Sequence, residues 1–224
     1  MSVASLARKP QGHDDLLAPD ENPFSTNKVT GHSLNFPIIG TCTPTPVCSD
    51  TCYFAKGPST WPASLAKQHR LLNSLRADPA YLGERVARWA KYLRLSYVRW
   101  CGGGDLVDET PACIDAAALA LPGVPQWVVS RKPEVAATLT PSLQWFWSYQ
   151  CDRGEVPPAA IAPVVFRDGY DLDGSAPIEQ DCPLNLSESI VRVCESCRRC
   201  FNGDAARRAK DCHAKPASSP RLFG

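Results

Sequence analysis

Residues 97–130 read YVRWCGGGDLVDETPACIDAAALALPGVPQWVVS, and this stretch sets the class of fold. Tyr97 to Trp100 is a short run rich in aromatic and β-branched residues, the signature of a buried strand, and it stops at Gly102-Gly103-Gly104. Ile114, Ala117, Ala118 and Leu121 then recur at helical spacing, and Pro125 to Ser130 is a second strand. A strand, a helix and a strand in so short a span make a parallel pair joined by a helical crossover.

The same alternation extends in both directions. Leu34 to Ile39, Leu143 to Tyr149 and Ile161 to Phe166 read as further strands. Helical faces are carried by Leu65, His69, Leu72 and Leu75, and by Leu82, Val86, Trp89 and Leu93. A shorter helix is expected from Pro133 to Leu139, with proline suited to its first turn. The chain is therefore expected to be α/β, built from parallel strands with crossover helices.

In such folds the active surface lies at the carboxyl ends of the strands. The residues expected there are Thr41-Cys42, then Cys101 through Asp105, Arg131-Lys132, Cys151-Asp152-Arg153 and Arg167-Asp168. Arg131, Lys132 and Arg153, taken singly, are ordinary polar loop residues. The loop after the first strand is different in kind: GTCTPTPVCSDTCYFAKG carries Cys42, Cys48 and Cys52 in C-x5-C-x3-C spacing. Three thiolates on one loop can hold three corners of a 4Fe-4S cluster and leave one iron open for a small molecule. Zinc in a structural site takes four ligands, so a zinc reading needs Cys101 or Cys151 as the fourth. Gly102, Gly103 and Gly104 allow a close approach to the backbone, and Asp105 can accept from an ammonium group. A tight strand-to-helix turn capped by Asp105 or Asp108 explains the same residues without a ligand.

A second triplet, Cys194, Cys197 and Cys200, follows Cys182-Pro183. Three close cysteines with a remote Cys-Pro match a four-thiolate cluster, and four thiolates equally suit zinc, as does a set including Cys212 or His213. A closed four-thiolate centre is structural or an electron relay. Arg192, Arg198, Arg199, Arg207, Arg208 and Lys210 surround it, but Glu188, Glu195, Asp204 and Asp211 offset them. Nucleic acid is thus a possible partner but not the favoured one.

Composition narrows the rest. With 224 residues and 44% hydrophobic content the chain can bury a core, and a net charge of +1 gives no field that selects nucleic acid or membrane. The N-terminus lacks an apolar stretch of signal-peptide length and no later segment reaches bilayer-spanning length, so a cytoplasmic protein with reduced thiols and no membrane partner is expected. The cysteine count of 11 is odd, which also argues against a complete disulfide framework. Cys113 on its helix is expected to pack, and His69 to be partly buried. No Walker loop, Ser/His/Asp motif or paired-carboxylate signature is present.

TCTPTPVCSDTCYFAKG, VRWCGGGD, GVPQWVVSRKPE and DCPLNLSESIVRVCESCRRCF together resemble the phage and plasmid family called the gene product 88 family, over roughly residues 36–201. That family is in turn distantly similar to phage proteins with a cysteine loop ending Cys-Tyr-Ala and to the radical S-adenosylmethionine (SAM) superfamily. The wider resemblance implies a partial (βα) barrel in which Cys42, Cys48 and Cys52 hold the cluster and the fourth iron binds SAM. Gly103, Gly104 and Asp105 stand where that superfamily has a Gly-Gly-Glu turn for the SAM amino group. Reductive cleavage of SAM would yield a deoxyadenosyl radical acting on an unknown small-molecule or macromolecular substrate, with an electron donor as partner. This sequence departs from the pattern in its longer loop, in Tyr53 following the last cysteine, and in Asp for Glu.

The expected organisation is an arm over residues 1–32, a partial barrel over 33–175, a cysteine-rich appendage over 176–213 holding a second 4Fe-4S cluster or zinc, and a tail over 214–224. The expected function is that of a radical SAM-like iron–sulfur enzyme. The alternative is a zinc-stabilised nucleic-acid-binding module, or a non-catalytic structural metalloprotein of a mobile element.

Overall fold

Prolines set the helix starts. The computed structural model describes residues 15–28, 30–140, 145–152, 164–168 and 210–213, the last three segments as strand backbone. Its helices are α1 (Pro46–Thr51), α2 (Pro62–Ala77), α3 (Pro79–Tyr92), α4 (Thr110–Ala120) and α5 (Pro133–Ala136), each with proline in its first two positions. Proline costs nothing there, because the first N–H groups of a helix have no partner to lose. Asp78 caps α3 by accepting from the Tyr81 N–H at 2.9 Å.

The strands are β1 (Ser25–Asn27), β2 (Gly31–Asn35), β3 (Val98–Gly103), β4 (Gln126–Ser130), β5 (Trp145–Asp152), β6 (Val164–Asp168) and β7 (Lys210–His213). They form one sheet in sequence order, with β1 antiparallel to β2 and every later pair parallel. No pairing among the described residues joins β7 to β1, so the sheet is open. The protein is thus mixed α/β with a mostly parallel sheet, and the strand ends after β2, β3 and β4 share one rim as expected. β1 and β7 were invisible in the pattern because Ser-Thr-Asn and Lys-Asp-Cys-His carry no apolar alternation. The first expected strand starts earlier and ends sooner, since Pro37 has no N–H to continue the ladder.

One face of β2–β4 meets the helices. Leu34, Val98, Trp100 and Val128 from the strands form a single cluster with Leu71 and Leu75 of α2, Leu82 and Val86 of α3, and Ile114 and Ala117 of α4. Within it the Trp100 indole N–H donates to Gln126 Oε1 at 2.9 Å, and the Gln126 amide donates to the Val124 carbonyl at 3.1 Å. Both side chains are fully buried, so each satisfies the other and pins β4 against β3. Cys113 packs here as expected.

Two expectations are corrected. The arm does not extend to residue 32: Leu17 and Phe24 belong to the core cluster. Arg85 of α3 holds this segment by donating to the carbonyls of Leu17 (3.2 Å), Ala18 and Glu21 (2.5 Å), while Glu21 pairs with Arg70 at 2.6 Å. Single apolar residues among polar ones produce no periodicity, which is why the sequence conceals this anchor. The buried face of α2 is also rotated, running through Ala66, Gln68, Leu71, Leu72 and Leu75 while Leu65 is half-buried; His69 is partly buried, as expected. This helix serves two partners, the sheet and the N-terminal segment, and Gln68 donates to the Ser59 carbonyl at 2.9 Å.

α3 and α4 approach closely at Gly83, where an added Cβ would lie 2.3 Å from the Cys113 carbonyl oxygen and 3.0 Å from the Ala117 nitrogen. Backbone cannot yield as a side chain tip does. Gly83→Ala is therefore expected to destabilise the protein by about 1–3 kcal/mol through overpacking. Urea unfolding would show a lowered midpoint, whereas an unchanged or raised midpoint would contradict this helix crossing.

Candidate metal and cofactor site

The site starts from an irregularity in β3. Ser33 is opposite Arg99 and Asn35 is opposite Gly103, so two steps along β2 match four along β3. The surplus residues form a bulge, a device that turns a strand end aside. Cys101 sits in it with φ of +54°, a left-handed conformation that costs a non-glycine residue roughly 1–2 kcal/mol. Gly102 fits because a Cβ there would meet Asn35 Oδ1 at 2.4 Å and Ser33 Oγ at 2.5 Å.

The cysteine loop closes over this bulge. Thr45 caps α1 by accepting from the Cys48 N–H at 3.2 Å, which places Cys48 inside the helix and Cys52 at its end, one turn further along. Tyr53 then donates its hydroxyl to the Gly102 carbonyl. The Phe54 ring lies so close to Gly103 that an added Cβ would be 2.3 Å away. Gly103 also accepts from the Phe36 N–H at 2.9 Å, and Gly104, with φ of +75°, faces the Phe36 carbonyl. The close approach that these glycines permit is made by the protein's own Phe54, Phe36, Ser33 and Asn35.

Asp105 turns inward. Its N–H donates to Thr41 Oγ1 at 3.0 Å, and its carboxylate accepts from the Leu106 N–H at 2.7 Å, the Ser130 hydroxyl at 2.5 Å and the Arg131 N–H at 3.3 Å. Thr41 itself donates to the Pro37 carbonyl at 2.6 Å. The Lys132 ammonium donates to the Leu106 carbonyl at 2.8 Å. Burial raises the Asp105 pKa above its ordinary value, outweighing Ser130, the two backbone donors and Lys132, which all favour the charged form.

Cys42, Cys48 and Cys52 are half-buried thiols beside this network, none of them in a disulfide. Burial and then the Asp105 carboxylate push the Cys42 thiol up to about 12, with Cys52 and Cys48 adding to the push and the Thr41 hydroxyl opposing it. Cys101 is buried, and its thiol is raised by burial first, then by Asp105 and Cys42. Three thiols of this kind supply the donor type and number for an iron–sulfur cluster. Among the described residues no three His, Cys, Asp or Glu side chains converge to metal-binding distance. The donor chemistry fits, and a metal bound there would have to draw the thiols together and displace their protons. Cys182, Cys194, Cys197 and Cys200 lie outside the described residues.

The family model described as Gene product 88 matches residues 5–203. The chain belongs to the gene product 88 family. No curated protein and no solved structure matches it. Among the described residues of this gene product 88 family chain, no helix is long and apolar enough to cross a membrane. Pattern reading pointed to Cys42, Cys48, Cys52 and the Gly102–Asp105 turn but passed over Ser130 and Phe54. A serine closing a strand and a phenylalanine after a cysteine carry no signal until the rim brings them to Asp105 and Gly103.

The raised Asp105 carboxyl gives a signed pH effect. Its folded form holds the proton more tightly than the unfolded form, whose pKa is near 3.8, so its contribution to stability falls as pH rises from there through the folded value. Asp105→Asn removes that slope. Unfolding free energies measured from acid to neutral pH should show the variant gaining on the wild type as pH rises; parallel curves would contradict a raised carboxyl.

Proposed function

We propose that this gene product 88 family chain is an iron–sulfur protein resembling radical SAM enzymes. Cys42, Cys48 and Cys52 would hold a 4Fe-4S cluster at the rim of a partial (βα) barrel, and the turn from Gly102 to Asp105 would face a bound SAM. When bound and reduced, such a cluster supplies the electron for cleavage of SAM. The observation that carries the reading is the physical linkage of the two motifs: Tyr53, next to Cys52, donates to Gly102, and Thr41, next to Cys42, accepts from Asp105.

The chain's own residues do the positioning. Tyr53 and Phe54 fix the distance between the cysteine loop and the glycine turn, and Phe54 keeps water from the Gly103 backbone. Thr41 and Ser130 hold Asp105, so any contact of this turn with an amino group falls chiefly to backbone carbonyls. Cys182, Cys194, Cys197 and Cys200 would hold a second 4Fe-4S cluster or zinc in a C-terminal appendage. An electron donor completes the reaction in a cytoplasmic setting, as part of a phage or plasmid.

A second reading rests on Cys101. Burial, then Asp105 and then Cys42 raise the Cys101 thiol, so Cys101 would be the fourth donor of a four-thiolate zinc centre on this loop. Anaerobic purification separates the two readings. The cluster reading expects a brown protein whose iron and sulfide fall together in Cys42→Ala but persist in Cys101→Ala, with an EPR signal of the reduced protein that SAM alters. A colourless zinc protein that loses metal on Cys101→Ala would sink it.

A further inference from the structure

Among the described residues, the face of β2–β4 turned away from the helices carries a row of polar and aromatic side chains where a purely structural one would be aliphatic. Ser33, Arg99 and Trp127 stand in one cross-strand row, because Ser33 pairs with Arg99 and Arg99 with Trp127. Their neighbours Leu34, Val98, Trp100 and Val128 face the helices and join the main core, whereas Ser33, Arg99 and Trp127 do not. Interior faces of βα folds that serve packing alone are filled by Val, Ile and Leu.

Arg99 is the unusual member. Its side chain is 9% exposed, yet among the described residues no carboxylate pairs with it. One terminal nitrogen donates to Thr30 Oγ1 at 2.7 Å, the guanidinium carbon lies 4.9 Å from the centre of the Trp127 ring, and the buried Nε–H has no acceptor. Thr30 is itself fixed, since its carbonyl accepts from Tyr97 and its N–H donates to Asn27 Oδ1 at 2.7 Å. A guanidinium braced at one nitrogen and stacked on an indole keeps its plane fixed, which leaves the Nε edge preorganised. That edge is the fork that grips an oxyanion through two parallel hydrogen bonds. A buried cation without a counter-charge is costly, and a ligand oxyanion removes the cost.

We propose that this face binds a small-molecule oxyanion, a carboxylate or phosphate group, on the Nε edge of Arg99 beside Trp127. The site stands independently of any cluster at Cys42, Cys48 and Cys52. If the protein is an enzyme, Arg99 lies on the strand that leads into the glycine turn and selects an anionic substrate.

The test titrates the full chain with inorganic phosphate and, separately, acetate, each against chloride at equal ionic strength. Melting temperature and the Arg99 Nε–H resonance, assigned by its absence in Arg99→Lys, are followed. The proposal expects a saturable rise in melting temperature and a saturable shift of that resonance with at least one oxyanion. A response to phosphate alone assigns a phosphate-bearing ligand, and one to acetate alone a carboxylate. Arg99→Lys keeps the charge but loses the fork and should bind about tenfold more weakly or worse. Arg99→Met should abolish the response, with circular dichroism showing that the variant is folded. If neither oxyanion gives a saturable response in the wild type, or if a folded Arg99→Met responds as the wild type does, the proposal is overturned. If both variants fail to fold, the Arg99 Nε–H resonance is assigned in the wild type through its bonds to the Arg99 backbone, and its titration decides.

Discussion

Three strand ends meet at Asp105. Its backbone N–H reaches the loop after β2 through Thr41, and its carboxylate reaches the end of β4 through Ser130 and the Arg131 N–H. Parallel strands need no contact at their ends, because each is tied to the next only by a crossover and a ladder. A carboxylate with several donors is what makes this rim a single body. The burial that raises its pKa is the cost of that tie, and the donors around it offset the cost.

The cysteine loop depends on the same rim. Its path is set by Thr41 at one end and by Tyr53 and Phe54 at the other, with a single capped helical turn between. The bulge at Cys101 and Gly102 lets the strand end swing under Phe54, and the left-handed Cys101 absorbs the distortion. Strain of this kind persists only where the surrounding structure over-determines it, as the core does here beneath the meeting of the two motifs. Away from the rim the two faces of the sheet divide the work, one packing against α2–α4 and the other presenting Arg99 and Trp127.

Much of the architecture was legible in the chain. The strand, helix and strand of residues 97–130 declare a parallel pair; the expected face of α4 is buried, and that of α3 is buried at Leu82 and Val86 and half-buried at Trp89 and Leu93. The face of α2 keeps the expected Leu72 and Leu75 but turns towards Ala66, Gln68 and Leu71, because the helix also meets the segment of Leu17 and Phe24, and contacts that distant in sequence leave no local period. β1 and β7 were missed for want of any apolar pattern. In the site, cysteines and glycines stand out by type and spacing, but Ser130, Thr41 and Phe54 become partners only through the rim.

The sequence alone determined the class of fold, the three thiols on the first loop and the glycine turn on the next strand, because periodicity and residue type are local properties. Tertiary structure decided the rest. It turned Asp105 inward, filled the space beside the glycines with Phe54 rather than leaving it open, and set Arg99 on Trp127 with no carboxylate partner among the described residues. Each of those outcomes depends on the register between strands more than twenty residues apart, and register is fixed by packing across the sheet, not by any pattern within one strand.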